Sequence, residues 1–72
     1  MERLDLHGIP HFQVNNDIIR KIEEFWNSNT EIHFITGNSE EMKQIVIEIL
    51  NEYNLEYRIG DIVNKGYIKT IV

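Results

Sequence analysis

Two apolar stripes at helical spacing, set among short β-prone runs, leave this chain few folds to choose from. The first stripe joins Val14, Ile18, Ile22 and Phe25, with Ile19 and Trp26 beside them. That recurrence marks an amphipathic helix, and Asn15, Asn16, Asp17, Arg20, Lys21, Glu23 and Glu24 make its wet face. The helix is expected from about His11 to about Ser28. Pro10 suits its first turn, and Asn29 suits a left-handed residue at its C-terminal end. The second stripe joins Met42, Ile45, Val46, Ile49, Leu50 and Tyr53. The run from Ile45 to Leu50 is β-prone by residue type, yet its flanks keep helical spacing, so a helix is expected; Ile47 falls off the stripe. Asn38 or Ser39 can cap this helix, Asn38 having capping-box spacing to Glu41. Glu40 and Glu41 then sit in the first turn, where the helix dipole favours them.

The remaining apolar residues read as strands. Residues 3–7 form a first strand and Ile32 to Ile35 a second, which Thr36-Gly37 breaks. Leu55 to Ile59 alternates as a third, with Leu55, Tyr57 and Ile59 on one face, and Tyr67 to Val72 is a fourth. Gly60-Asp61 and Asn64-Lys65-Gly66 between the last two are turn signals, and so short a connection favours an antiparallel hairpin. The order is β-α-β-α-β-β. The fold class is α/β, in the form of an α+β two-layer sandwich. A four-stranded mixed sheet carries both helices on one face, since each early strand-helix-strand unit crosses with the same hand. The other sheet face is left open.

At 72 residues the chain makes a single domain, 1–72, with a small core. An apolar content of 42% suits a folded globule. There is no cysteine, hence no disulfide framework, thiolate nucleophile or thiolate metal ligand. No apolar stretch approaches the roughly 20 residues needed to span a bilayer, and no signal-peptide pattern is present. A cytoplasmic protein without membrane contact is expected. The net charge of −5 argues against tight, indiscriminate nucleic-acid binding. Any such contact must come from a local basic patch or from hydrogen bonds.

Leu4-Asp5-Leu6-His7-Gly8 stands out chemically. Strand alternation points Leu4 and Leu6 one way and Asp5 and His7 the other, just before a glycine. Thr36-Gly37-Asn38-Ser39 ends the next apolar run. Parallel neighbouring strands would bring these segments to one mouth, the favoured ligand position in such sheets. There His7 is a natural general acid or base, and Asp5 could orient a water or a metal. Each also has a plainer reading. His7 could be a structural histidine bonded to its turn, and Asp5 a carboxylate that receives backbone N–H groups of the turn. Thr36 to Ser39 could be an ordinary helix cap. His11 and His33 read as surface residues, and the stripes, including Trp26 and Tyr53, as core.

Both segments resemble motifs of the Smr domain, the small MutS-related domain, over essentially the whole chain. Leu4 to Gly8 matches its L-D-L-H-G motif residue for residue. Ile35-Thr36-Gly37 matches the start of its second motif, Thr/His-Gly-x-Gly. Met42-Lys43 is similar to the Leu-Lys or Leu-Arg found there, and Gly66 to Val72 to its last, Gly-rich strand. Ser39 stands where the family usually has its second glycine, the loop is about one residue shorter, and the glycine run before the last strand is reduced to Gly66. The resemblance implies a fold similar to the C-terminal domain of bacterial translation initiation factor three. It also implies nucleic-acid binding and, in several branches, endonuclease activity on DNA or RNA. Asp5 and His7 match the positions implicated in activity, and Gly37 the substrate-contacting loop.

Phosphodiester cleavage needs an activated oxygen nucleophile, stabilised phosphoryl oxygens and a protonated leaving group. His7 with Asp5 would supply the acid–base part. Gly8, the amides of Gly37, Asn38 and Ser39, the Thr36 hydroxyl and the Lys43 ammonium would hold phosphate at the helix start. On RNA, His7 could activate the ribose 2′-hydroxyl without a metal. On DNA a water must be activated, for which Mg2+ is the candidate helper. One Asp and one His make a sparse metal site, so no tightly bound metal or other cofactor is expected. Arg58 and Lys69 alternate away from the core and could make a basic path across the open face with His7 and His33, or simply be solvated. Tyr67 and Ile71 on that face could stack on bases or form a homodimer contact. The expected function is a weak or specialised endonuclease. The alternatives are a non-catalytic nucleic-acid-binding module and a protein-interaction module.

Overall fold

The computed structural model describes residues 1–61 and 63–72. Its elements follow the order β-α-β-α-β-β: β1 Glu2–Asp5, α1 His11–Glu24, β2 Glu31–Ile35, α2 Glu40–Glu52, β3 Tyr57–Ile59 and β4 Tyr67–Ile71. The four strands make one mixed sheet in the order β1-β2-β4-β3. β1 runs parallel to β2 with Leu4 opposite Phe34 and Asp5 opposite Ile35. β4 is antiparallel to both β2 and β3.

Alternation along the strands decides which face is covered. Leu6, Ile32, Phe34 and Ile68 are fully buried, and they share one cluster with Val14, Ile18 and Ile22 of α1 and Val46 and Leu50 of α2. Both helices therefore lie on the same sheet face. Residues one step off this register point the other way: Arg3 and Asp5 are exposed, and His33, Ile35 and Lys69 half-buried. The molecule is two layers thick, 30 × 29 × 19 Å. No helix among the described residues is long and apolar enough to cross a membrane.

The run from Ile45 to Leu50 is helical, and Ile47 is half-buried against the edge of the core. Ser39, not Asn38, is the N-cap of α2, its Oγ accepting from the Met42 N–H at 3.1 Å. Some boundaries differ from expectation. α1 stops at Glu24 and not near Ser28, because Asn27 and Asn29 both take left-handed backbone (φ 63° and 61°). Asn29 is thus left-handed, but in the connection and not at the helix end. Trp26 consequently leaves the stripe; it is 51% exposed and leans on Tyr53 at 5.6 Å between ring centroids. β3 begins at Tyr57 and not Leu55, because the Leu55 N–H closes the end of α2 on the Leu50 carbonyl. β1 ends at Asp5, which puts His7 in a turn.

Candidate functional site

The two motif segments meet at the C-terminal ends of the parallel pair β1 and β2. The Leu6 N–H donates to the Ile35 carbonyl at 2.9 Å, carrying the ladder one residue past β1. A turn follows, closed by the Ile9 N–H on the Leu6 carbonyl, with Gly8 at φ 81°. A type II turn needs a left-handed third residue, which is glycine's place. Asp5 shapes this turn: its Oδ1 accepts the His7 N–H at 2.9 Å. The carboxylate thus holds the backbone of His7, as its plainer reading supposed. The His7 imidazole has no hydrogen-bond partner among the described residues and is exposed. A structural histidine tied down through its ring is therefore not what stands here.

Gly37 faces this imidazole, with room for about one methyl group between them. A Cβ built on Gly37 would lie 3.9 Å from His7 Cδ2, and Gly37 itself is left-handed at φ 63°. Gly66 closes the cluster from the β3–β4 side, since a Cβ there would come 3.5 Å from Gly37 Cα. The Gly66 carbonyl accepts the N–H groups of Thr36 and Gly37, each at 2.9 Å. Thr36 is buried, and its one hydroxyl proton is shared between the carbonyls of Gly37 (3.1 Å) and Gly66 (3.3 Å).

These bonds engage two members of the expected phosphate cradle. The Gly37 amide and the Thr36 hydroxyl brace the loop against β4 and do not face a ligand. Ser39 Oγ is the helix cap. The first turn of α2 already carries Glu40 and Glu41, which compete with phosphate for the helix dipole. Lys43 is buried, with its ammonium 3.6 Å from Glu40. Gly8 has open space around its α-carbon, and Asn38 is exposed at the same mouth. A second link joins the two connections: His11 Nδ1 and Glu41 Oε1 are 3.1 Å apart. His11 lies on the surface, as expected. Phe12, one residue on, is 84% exposed; its place off the apolar stripe hides it from a reading of the sequence.

Arg58 and Lys69 stand directly opposite one another on the open face. Lys69 in turn faces His33, which faces Arg3. The alternation identifies the first two; Arg3 joins them only through the β1–β2 register. His33 Nε2 meets Glu31 Oε2 at 2.7 Å, and this hydrogen bond, helped by the nearby Lys69 charge, holds the Glu31 carboxyl below its ordinary range. The His33 ring stacks on Tyr67 (5.0 Å, 15°). Partial desolvation, and then the Asp61 carboxylate 3.3 Å from its hydroxyl, push the Tyr67 phenol upward. A groove of about 990 Å3, lined by Arg58, Lys69, Glu31 and Asn54 among others, opens at the opposite end of the strands from His7 and holds no residue of either motif.

Among the described residues no three His, Cys, Asp or Glu side chains converge as a metal would need. One Asp5 oxygen accepts the His7 N–H, and Mg2+ beside it would take most of its oxygens from water and substrate phosphate. Comparison with protein-family models, with curated proteins and with solved structures gave no match to this chain.

Proposed function

We propose that this is an Smr-like nucleic-acid-binding domain that cleaves phosphodiester bonds weakly or within a narrow range of substrates. One observation carries the reading: the exposed His7 imidazole, without a hydrogen-bond partner among the described residues, is held by Asp5 through its own backbone and faces Gly37. An imidazole so placed can accept a proton from a substrate hydroxyl or donate one to it.

RNA is the substrate these residues favour, because its 2′-hydroxyl supplies the nucleophile. His7 takes the 2′-OH proton, the 2′-oxygen forms a bond to phosphorus, and the bond from phosphorus to the 5′-oxygen breaks. The leaving 5′-oxygen takes a proton from water, and the hydroxide so formed takes back the proton held on His7, giving a 2′,3′-cyclic phosphate and a 5′-hydroxyl. Asp5 is a positioning residue in this scheme. DNA cleavage would need an activated water, with Mg2+ as its helper, and no step is assigned to a metal. The cytoplasm is the compartment this reading assigns.

The non-catalytic binding module remains the second reading. The engaged Gly37 amide and the buried Lys43 favour it, because both withdraw groups that would stabilise a reacting phosphate.

The test is cleavage of labelled single-stranded RNA, with supercoiled plasmid DNA in parallel, by wild type and His7→Ala with and without Mg2+. Turnover lost in His7→Ala, with circular dichroism unchanged, supports catalysis. Equal activity in both proteins removes His7 from the mechanism. Binding without turnover in the wild type selects the binding module.

A further inference from the structure

We infer that the open sheet face is a binding surface for a single strand of nucleic acid, its phosphates on the row Arg3–His33–Lys69–Arg58 and a base on Tyr67. This deepens the proposed function and rests on it.

The row is fixed by three successive registers. Arg3 faces His33 across β1–β2, His33 faces Lys69 across β2–β4, and Lys69 faces Arg58 across β4–β3. One basic side chain from each strand therefore stands on the uncovered face, in a line three strand spacings long, about 14 Å. Three of the chain's seven Lys and Arg residues lie in it. The helices opposite carry seven of the twelve carboxylates and another three of the Lys and Arg residues, Arg20, Lys21 and Lys43. The helical layer therefore accounts for −4 of the net charge of −5, and the open face is the less acidic of the two. Asp5 and Glu31 also lie on the open face, and Glu31 is already paired with His33.

Charge complementarity selects a polyanion, and the rings beside the row select a single strand. Tyr67 leans on His33, and Ile35 lies directly across from Tyr67, so an aromatic and apolar step flanks the cations. Unstacked bases can lie on such a step, whereas a duplex keeps its bases stacked internally. The same face leads to the cleavage site. Asp5 is two residues beyond Arg3 on β1, about 7 Å along the strand, and His7 follows in the turn. A second copy of this chain is the poorer occupant. A two-fold contact centred on the face would lay the cationic row over its own copy.

The test is fluorescence anisotropy with a short labelled single-stranded RNA across a salt series, alongside light scattering. In the combined variant Arg3→Gln, Arg58→Gln and Lys69→Gln, binding weakens at least tenfold at low salt. The slope of log affinity on log salt flattens by about 0.7 for each phosphate that the variant leaves unneutralised. Tyr67→Leu weakens binding about fivefold or more, and Tyr67→Phe keeps it. Arg20→Gln, on the helical layer, stays within about twofold, less than one neutralised phosphate is worth. Wild type that binds no nucleic acid overturns the proposed function and this surface together. Wild type that binds while the triple variant binds equally well overturns the surface alone. A dimer that dissociates in the triple variant assigns the face to self-association and overturns the proposal.

Discussion

At the scale of single residues, His7 and Asp5 divide the work unequally. His7 offers a ring with no described partner, and Asp5 holds the backbone that carries it. His7→Ala should abolish RNA turnover and leave urea stability nearly unchanged, because the side chain is exposed. Asp5→Ala should instead lower stability by about 1 kcal/mol, the usual net worth of a hydrogen bond, and lower turnover only in part. Complete loss in Asp5→Ala with unchanged stability would make Asp5 a direct participant. The glycines rank similarly. A methyl at Gly60 would run into the Asn64 carbonyl oxygen, whereas one at Gly8 meets open space. Both residues are left-handed, so each Ala variant carries backbone strain of about 1 kcal/mol. Gly60→Ala should lower the melting temperature more than Gly8→Ala, and the reverse order would contradict this geometry.

Among the elements, the β3–β4 connection is the one whose importance the sequence hid. The Asp61 carboxylate accepts the N–H groups of Val63 (2.8 Å) and Asn64 (2.6 Å), and Asn64 Oδ1 accepts the Gly66 N–H (2.8 Å). This chain of bonds presents the Gly66 carbonyl to Thr36 and Gly37. Turn residues at 60–61 and 64–66 were legible from composition. Their role was not, because it depends on β4 inserting between β2 and β3, a long-range choice that local spacing does not encode. That the Gly37 amide and the Thr36 hydroxyl bond to Gly66 was hidden for the same reason. α1 was misjudged at its C-terminal end because the stripe continues through Phe25 and Trp26, while two asparagines turn the backbone first. Element types and order were legible because period-two and helical spacing differ over runs this long. The amides of Asn64 and Val63 hold the Asp61 carboxyl below its ordinary value of 3.8. The ionised form is therefore the one the fold favours. Its stabilisation is fully present above the ordinary value and is lost as pH falls through the folded one. Carboxyl NMR titration should find Asp61 low, and Asp61→Asn should flatten the acid limb of the stability curve. Faster amide exchange at Gly37 should accompany that substitution. At the other end of the same loop–helix unit, Ser39→Ala should reduce stability by about 1 kcal/mol through loss of the cap.

At the level of the molecule, one small core supports everything. Phe34 is fully buried at its centre, between Leu4 of β1 and Ile68 of β4 in the sheet register. Phe34→Ala should cost about 3–5 kcal/mol, a large share of what a domain of this size possesses, and should leave the protein largely unfolded by calorimetry. The last strand of the sequence, β4, is also an inner strand of the sheet, bonded to β2 on one side and β3 on the other. During synthesis, the first 60 residues emerge with β1 and β2 able to pair but β3 without a neighbour. The sheet closes only when residues 67–71 have cleared the ribosome exit tunnel. A chain stalled or truncated before Tyr67 would present unpaired β2 and β3 edges to chaperones and proteases. For this fold, the row across all four strands exists only once β4 is free to enter between β2 and β3.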